Sequence, residues 1–304
     1  GVFGQATWTP EALQRLHLTA GGRYTRDDKK GNLYIVNGAA TNLAFKDRWS
    51  RFDPMVNIAY DLGEHAMVYA KYSTGFKAGG ANSRSTNYAA FGPEEVTAYE
   101  LGFKSQFWDN RARLNLAVFD STIAHKQMDF SLPFDPNSGE TRTTMVTTNA
   151  LSDGKSRGAE LEFNVMPVDN LTLGLNYAYT KIDAQTATDP FGAGVQVTVQ
   201  PLLAPKNAGS LSADYLVPFA NFSALKFHVD GNWSDGYYTS EYDQMLTDSS
   251  FVVNARVALV DVPVNGTGTT MSFSLWARNL LDEQHLFYKI NSAALGQSGI
   301  FNDP

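Results

Sequence analysis

The sequence predicts an all-β fold, an antiparallel transmembrane β-barrel to which this chain contributes roughly twelve strands. Three observations favour this fold. Apolar and polar residues alternate in one segment after another, short and long connections between those segments follow each other in turn, and aromatic residues recur near the short connections. Each observation is typical of strands that present one side to lipid and the other to a polar interior.

The clearest hairpin spans residues 94–120. In its first arm Tyr99 and Leu101 fall on one face, and Glu100 falls on the other, which is the alternation of a strand with one apolar side. The residues at 108–111, Trp-Asp-Asn-Arg, suit a tight reversal, and alternation resumes after them. This hairpin therefore has long arms and a very short turn.

The same pattern recurs along the chain. The predicted strands lie near residues 2–8, 16–25, 52–60, 66–76, 99–107, 113–118, 159–165, 171–179, 207–217, 225–233, 251–259 and 273–278. The long polar segments are Arg26–Asp47, Lys77–Pro93, Ala124–Arg157, Asp183–Ala204, Asp235–Ser249 and Leu281–Pro304. The first of these is either a loop or a pair of strand extensions that end in one, and the last is expected to be loop-like.

Composition agrees with a barrel. The chain has 14 Tyr, 19 Phe, 5 Trp and 25 Gly, and its charged fraction of 18% is below the roughly 25% of an ordinary soluble domain. Its mean hydropathy of -0.26 is unremarkable, because only every second residue of a barrel strand faces lipid. A β-sandwich does not sort its loops by length, and a propeller would repeat regularly. Four aromatic residues near short turns fit an interfacial girdle: Trp8, Tyr60, Trp108 and Tyr215.

Charge and catalytic motifs exclude several classes of function. A net charge of -7 without a basic stripe argues against nucleic acid as a partner. Zero cysteines exclude disulfides and a thiol nucleophile. The five histidines are scattered and none lies in a metalloprotease or serine-hydrolase motif, so we predict no enzyme, no metal site and no cofactor. His228 beside Asp230 comes nearest to a site, and a hydrogen-bonded pair in the lumen is the preferred interpretation.

The two ends of the chain bear on its completeness. Strands paired as hairpins place both ends on the long-loop side, whereas a complete barrel normally ends after a closing strand with a terminal aromatic residue. The ending Asp303-Pro304 does not match that pattern, and the chain starts at Gly1 rather than at Met. We therefore expect an internal or truncated part of a larger barrel, with residues 1–304 as a single partial barrel domain.

Five sequence segments carry a family resemblance. They are YSTGFKAGGAN from Tyr72, GPEEVTAYELGFKSQF from Gly92, SRGAELEF from Ser156, APKNAG from Ala204 and WARNLLDEQH from Trp276. In this order, the chain resembles the C-terminal part of the barrel of TonB-dependent outer-membrane receptors, the iron-complex or siderophore group. The resemblance implies a barrel of roughly 22 strands, closed by an N-terminal plug. By comparison with that family, we expect this chain to lack the plug, the TonB box, the early strands and the closing strand.

Several residues of these segments have expected structural roles. Gly75, Gly79 and Gly80 would allow bends and positive φ where a strand meets a loop. Glu100 and Lys104 lie two pleats apart on the inward face, where an ion pair or contact with a plug would satisfy their charges. Asn279 and Asp282 suit capping or turn roles. Two further motif residues, Gly158 and Glu160, are expected to shape the barrel.

The resemblance implies a multi-pass protein of the bacterial outer membrane that imports a bulky, scarce nutrient, with a ferric siderophore as the leading ligand. Its implied partners are outer-membrane lipid, a small-molecule ligand and a TonB-type energy-coupling complex that acts through parts absent here. Aromatic and basic residues of the loops and inner mouth would hold an anionic chelate. The candidates are Phe76, Lys77, Arg84, Tyr88, Tyr237, Tyr238 and Tyr242.

Other functions stay open at this point. A passive porin would lack a plug and would conduct without a gate, and a structural barrel would lack ligand uptake. Acidic residues share a loop with the last three tyrosines: Asp235, Glu241, Asp243 and Asp248. Because these acids would repel an anion or recruit a cation, a saccharide or another metal chelate is also open as the ligand.

Overall fold

The computed structural model describes residues 1–36, 39–83, 85, 88–132, 144–219, 223–241, 245–264, 268–292 and 297–302. The only helical element among them is a 3-10 turn at Glu11–Leu13. The strands are β1 (Val2–Trp8), β2 (Leu16–Val36), β3 (Ala39–Asp61), β4 (Ala66–Lys77), β5 (Gly80–Ala81), β6 (Ala90–Phe91), β7 (Glu94–Phe107), β8 (Ala112–Ala124), β9 (Gln127–Leu132), β10 (Thr144–Asn149), β11 (Gly154–Val168), β12 (Leu171–Ile182), β13 (Gln185–Thr188), β14 (Gln196–Val199), β15 (Asn207–Pro218), β16 (Ala224–Ser234), β17 (Ser250–Pro263), β18 (Thr270–Ala277), β19 (Leu286–Ser292) and β20 (Gln297–Asn302).

Twelve of these strands form one sheet, in the order β1-β2-β3-β4-β7-β8-β11-β12-β15-β16-β17-β18. Neighbours in the sheet are antiparallel throughout, and β1 and β18 lie at its edges. The predicted fold class and the number of strands are therefore confirmed. The other eight strands form four two-stranded ribbons: β5 with β6, β9 with β10, β13 with β14, and β19 with β20.

The short connections are tight. At the turn between β7 and β8 the residues Trp108, Asp109 and Asn110 all have positive φ, 56°, 52° and 64°. The Arg111 backbone N–H donates to the Trp108 carbonyl at 2.9 Å, which closes the reversal. The turn between β11 and β12 uses Asn170 at φ 66°. Asn and Asp tolerate this left-handed conformation, so they stand where the chain must reverse within a few residues.

The long connections are more ordered than the sequence suggested. The described residues of Arg26–Asp47 belong to strand extensions of β2 and β3, one of the two expected alternatives. The expectation that Leu281–Pro304 is loop-like is wrong, because β19 and β20 lie within it. Their residues, such as Tyr288 opposite Phe301, give only a short alternating pattern, which is difficult to separate from a polar loop.

The sheet has an apolar outer face. Tyr99, Leu101 and Val118 are 57%, 57% and 51% exposed, although they lie in the middle of paired strands. Among the described residues, the structure contains no α-helix long and apolar enough to cross a membrane. Exposed apolar side chains in continuous rows need an apolar solvent, so this face is suited to contact lipid.

The ribbons between the long strands pack on each other. We call the described residues of 78–93, 125–153 and 183–206 the loop layer. Its hydrophobic core consists of buried residues from β9, β13 and β14 and the connection after β10, with Phe130 fully buried at 0% exposure: Met128, Phe130, Ala150, Ala187 and Val199. The Asn82 side chain joins the layer, since its amide donates to the Ala89 and Thr147 carbonyls at 3.0 and 2.9 Å. The loop layer is thus a folded unit above the wall.

Candidate ligand-binding mouth

Four residues gather on the long-loop side, where the β2–β3 extension meets the loop after β5. We call Lys29, Phe45, Trp49 and Tyr88 the mouth cluster. The Lys29 Nζ lies 5.7 Å from the centroid of the Trp49 ring and donates to the Gly79 carbonyl at 2.7 Å. Phe45 stacks on Trp49 with centroids 6.2 Å apart, and it meets Tyr88 edge-on at 6.1 Å. A cation and three rings are therefore held together at one site.

The backbone is shaped to fit the mouth cluster. A Cβ on Gly79 would clash with the Trp49 ring and the Phe91 carbonyl, and a Cβ on Gly31 would meet the Tyr88 hydroxyl. Both positions therefore require close approach of a ring to the backbone. Tyr88 itself has φ 50°, in the left-handed region that is uncommon for a residue other than glycine.

The candidate residues on β4 lie apart from one another. Lys77 is the last residue of β4, exposed and opposite Glu94 on β7. By strand alternation Lys77 shares the inner face with Tyr69, whereas Phe76 shares the outer face with Tyr72. Lys77 is thus placed toward the interior and Phe76 is not, and a ligand role for either stays a prediction. Arg84 and Tyr242 lie outside the described residues.

Tyr237 and Tyr238 hold a different loop in place. The Tyr237 hydroxyl donates to the Phe287 carbonyl at 3.1 Å, and its backbone exchanges hydrogen bonds with Thr247 at 2.9 and 3.0 Å. The Tyr238 carbonyl accepts from the Leu203 N–H at 2.8 Å. These contacts show what the two tyrosines stabilise; their predicted ligand contacts remain a prediction.

The acids of the same loop have intramolecular partners. Asp235 accepts hydrogen bonds from the backbone and the side chain of Asn207. Asp248 accepts from the Leu286 N–H at 3.0 Å. These hydrogen bonds attach the loop to β15 and β19. The carboxylates of Asp235 and Asp248 are therefore less available to repel or bind a ligand than the sequence suggested. Asp243 lies outside the described residues.

Glu241 differs from the other acids of this loop. Burial raises the pKa of its carboxyl above the usual range, and the Asp129 carboxylate acts in the same direction, against a backbone hydrogen bond that lowers it. A carboxyl in this position loses its charge more readily than an exposed one.

The inner wall below the mouth carries polar groups that are paired. The Tyr69 hydroxyl donates to Glu100 Oε1 at 2.6 Å, and the Lys104 Nζ lies 5.6 Å from the centroid of the Tyr69 ring. Within the described part of the chain no ion pair joins Glu100 to Lys104, so the expected direct pair is replaced by contacts through Tyr69. Glu160 lines the same recess as Tyr69 and Lys104.

The glycine expectations need correction. None of Gly75, Gly79 and Gly80 has positive φ; among described glycines only Gly194 and Gly268 do, at 85° and 66°. Gly79 and Gly80 are instead packed closely against other residues. A Cβ added to Gly80 would lie 2.8 Å from the Phe91 ring, whereas a Cβ added to Gly75 would have no neighbour within 4 Å.

Three glycines are each covered by an aromatic ring from a neighbouring strand: Gly102 by Tyr69 and Gly158 by Phe119 on the inner face, and Gly209 by Trp233 on the outer face. The missing Cβ provides the space in which each ring lies flat across the sheet.

The turn predicted at Asn279 and Asp282 is present. The Asn279 side chain accepts from the Glu283 N–H at 2.8 Å and donates to the Glu283 carbonyl at 2.9 Å. Asn279 and Asp282 have φ of 49° and 53°, and the Asp282 N–H donates to the Asn279 carbonyl at 3.0 Å. These two residues end β18 and turn the chain toward β19.

His228 lies between two carboxylates on the inner face. Its Nδ1 is 3.1 Å from Asp214 Oδ2, and its Nε2 is 3.2 Å from Asp230 Oδ1. The expected pair with Asp230 is present, and Asp214 is an additional partner. The described residues contain no group of three or more His, Cys, Asp or Glu arranged to hold a metal ion.

The sequence analysis missed three members of the mouth cluster. Lys29 and Phe45 fall within Arg26–Asp47, which was expected to be a polar loop or a pair of strand extensions, and Trp49 lies between this segment and the strand predicted from Phe52. The sequence did contain a weak signal for them. All three have odd numbers, and odd-numbered residues of β2 and β3 share the inner face with Asn57 and Ala59. Extending the alternation through the charged stretch would have placed them on the inner face.

Comparison with known proteins identifies the family. The family model described as TonB dependent receptor-like, beta-barrel, matches residues 1–280. The chain belongs to this family. The predicted recognition is therefore confirmed, and the family consists of receptor transporters, which are not enzymes.

Curated relatives cover parts of this TonB-dependent receptor barrel. A metal-pseudopaline receptor, CntO, of Pseudomonas aeruginosa is 28% identical over 195 residues, 64% of this chain and 24% of the relative. The ferripyoverdine receptor of Pseudomonas aeruginosa is 34% identical over 70 residues, 23% of this chain and 9% of the relative. The chain thus spans about a quarter or less of the length of these relatives.

Solved structures share the fold. The ferric yersiniabactin uptake receptor FyuA from Yersinia pestis superposes with a TM-score of 0.76 at 16% identity, over 99% of this chain and 43% of that one. The pyoverdine outer membrane receptor FpvA from Pseudomonas aeruginosa, solved with pyoverdine bound, gives 0.64 at 20% identity over 94% of this chain and 38% of that one. At these identities the similarity concerns the barrel architecture.

Proposed function

We propose that this chain is part of the wall and outer mouth of an outer-membrane receptor that imports a ferric siderophore by TonB-coupled transport. The family supports a receptor barrel, and the apolar outer face supports a place in a membrane. The observation that carries the ligand proposal is the mouth cluster, in which the Lys29 ammonium lies over Trp49 beside Phe45 and Tyr88.

The mouth cluster suits a bulky anionic chelate. Flat rings offer contact area to the organic part of a chelate with little loss of side-chain freedom, and an ammonium attracts its negative charge. Lys29 already has a cation–π contact and one backbone acceptor, so its position is fixed before a ligand arrives. Prior order of this kind reduces the entropy lost on binding.

A second ligand class has support of its own. The relative CntO is named a metal-pseudopaline receptor, so a chelate of a metal other than iron is the alternative cargo. In both cases the metal is part of the transported substrate and is not a resident cofactor.

Transport of radiolabelled chelates tests the proposal. The full-length receptor would be expressed in cells lacking their own siderophore receptors, and ferric chelates, chelates of divalent metals and labelled saccharides would each be supplied at low concentration. We expect accumulation of one class, abolished by an uncoupler of the proton-motive force or by deletion of TonB. Accumulation that persists in uncoupled cells would indicate a passive porin, and uptake of saccharides alone would overturn the chelate proposal.

A further inference from the structure

Two acidic residues lie among the residues of the mouth cluster. In the register of β2 with β3, Asp27 is the direct partner of Trp49, and Asp47 is the direct partner of Lys29. Because alternate residues of a strand share a face, both acids lie on the inner face with the mouth cluster. We call Asp27 and Asp47 the acid pair. It places negative charge directly beside the rings and the ammonium group.

The acid pair is not neutralised by a neighbouring cation. Within the described part of the chain, neither Asp27 nor Asp47 has a cation within ion-pair distance, although Asp47 accepts a hydrogen bond from the Arg48 backbone N–H at 2.7 Å. Asp28 differs, since it lies on the outer face and pairs with Arg26 and Arg48 there. The acid pair thus faces the mouth without a compensating partner.

Lys29 is the positive charge of this site. Its ammonium is held by the Gly79 carbonyl and by the Trp49 ring, and not by Asp47, its cross-strand partner. Adjacent positions therefore carry one positive and two negative charges, a net charge of -1. One anionic group of a ligand can bind the ammonium, but further negative charges on the same ligand come close to the acid pair and are repelled.

Two other cations of the inner wall do not reverse this balance. Arg51 lies between Asp53 and Glu95, with N–O distances of 2.9 and 2.6 Å. Lys77 has Glu94 as its cross-strand partner. Each of these cations is accompanied by at least one carboxylate, so neither adds the surplus positive charge that would attract a polyanion.

The rings of the mouth cluster are suited to a flat partner. Phe45, Trp49 and Tyr88 are all half-buried, so each retains some accessible surface. The close approach of Tyr88 to Gly31 and of Trp49 to Gly79 holds two of the rings in place before a ligand arrives. Ring-to-ring contact stabilises a complex beyond the area that it buries. An aryl group on the ligand would use this surface more fully than an aliphatic chain.

We propose that the mouth selects metal chelates that carry an aryl group and a single accessible negative charge, and that Asp27 and Asp47 exclude polyanionic chelates. This inference rests on the proposed function and narrows its ligand class. The rings and Lys29 supply the attraction, and the acid pair supplies the repulsion that separates one chelate from another.

Binding of three radiolabelled chelates tests this selectivity. The detergent-purified, full-length receptor would be titrated with a singly negative ferric chelate bearing a hydroxyphenyl group, a triply negative ferric tris-catecholate and a neutral, aliphatic ferric tris-hydroxamate. We expect the first to bind most tightly, because the second meets the acid pair and the third offers no ring. In Asp27→Asn/Asp47→Asn the tris-catecholate should bind about tenfold more tightly at physiological ionic strength, whereas affinity for the singly negative chelate should change by about twofold.

The matched control is Glu64→Gln/Asp109→Asn. It removes the same charge from exposed residues on the short-turn side, and all three affinities should stay as they are in the unaltered receptor. The ring contribution is tested by Trp49→Leu, which keeps an apolar side chain. This variant should bind the hydroxyphenyl chelate about fivefold more weakly, with little change for the tris-hydroxamate.

A salt titration tests the repulsion without any substitution. Raising the salt concentration should strengthen the binding of the tris-catecholate to the unaltered receptor, because screening weakens its repulsion by the acid pair. Weaker binding of the tris-catecholate at high salt, or no gain in Asp27→Asn/Asp47→Asn, would overturn the selectivity and leave chelate import standing. Failure of all three chelates to bind would overturn the proposed function and this inference with it.

Discussion

The barrel wall and the loop layer arrange apolar side chains in opposite ways. In the wall Leu101 and Val118 are more than half exposed, and small or polar residues such as Gly102 face inward. In the loop layer Phe130 is fully buried among neighbours from three ribbon strands. The wall is therefore built for an apolar solvent outside it, and the loop layer is built, like an ordinary soluble domain, around an interior of its own.

This difference shows how one chain separates stability from recognition. Continuous cross-strand hydrogen bonding and lipid contact fix the wall without a conventional core. The loop layer lacks those supports, so a small core and buried amides such as Asn82 hold it together. Its folded ribbons give the mouth cluster a fixed neighbour, because Gly79 lies against Trp49 and also belongs to the layer.

The largest expected effect is a substitution that destabilises the loop layer but not the wall. Phe130→Ala removes the only large side chain that is fully buried among the described residues, and we expect the layer to lose about 3–5 kcal/mol of stability. Hydrogen exchange should rise in β9, β10 and β13 and stay unchanged in β7 and β8. The control Phe107→Ala changes an exposed residue of the wall. Equal exchange changes in wall and layer would contradict the separation.

The next largest expected effect is a substitution that destabilises the wall but not the loop layer. Leu101→Arg places a charge on the outer face near mid-strand, where we expect a loss of about 2–4 kcal/mol. The matched change Asn176→Arg puts the same group on the inner face at a similar distance from its turn, and it should be nearly neutral. Guanidinium-induced unfolding in lipid vesicles would measure both variants. Similar destabilisation by the two changes would mean that the outer face does not meet lipid.

A smaller effect tests the aromatic cover on the inner face. Gly102→Ala forces the Tyr69 ring away and weakens its 2.6 Å hydrogen bond to Glu100, so we expect a loss of about 1–3 kcal/mol. Gly75→Ala on β4 meets nothing within 4 Å and should be neutral or slightly stabilising. The same vesicle unfolding assay compares the two. A neutral Gly102→Ala would show that the ring has room elsewhere.

The smallest effect is a pH dependence confined to one loop. Burial raises the pKa of Glu241, so the folded loop binds a proton more readily than the unfolded chain does. Its contribution to stability is complete below the unfolded pKa and is lost as pH rises through the folded pKa. The protection factors for hydrogen exchange, which remove the intrinsic pH dependence of amide exchange, should therefore be largest in mild acid for the described residues of 235–249. Glu241→Gln should remove this dependence, and a variant with the same pH profile would contradict it.

The wall was predictable from sequence because its period is two and its short turns use residues suited to reversal, as at 108–111. The loop layer was not, since short ribbons such as β13 and β14 leave too few alternations to recognise. The mouth cluster was found only in part, because Tyr88 was a candidate and the other three residues were not. Lys29 and Phe45 lay in a charged stretch that was expected to be a loop or strand extensions, and Trp49 lay between that stretch and the next predicted strand. The glycines were assigned positive φ, whereas at Gly79 and Gly80 close contact is what the structure shows.

The most direct test of the account is the dissociation constant of the full-length receptor for its metal chelate, with and without Lys29→Gln/Trp49→Ala. We expect binding at least tenfold weaker in the double variant, with unchanged barrel assembly, because both the charge and the main ring surface are lost. Tyr237→Phe, which keeps the ring and removes only the hydroxyl, serves as the comparison. Full affinity in the double variant would show that the mouth cluster is not the binding site.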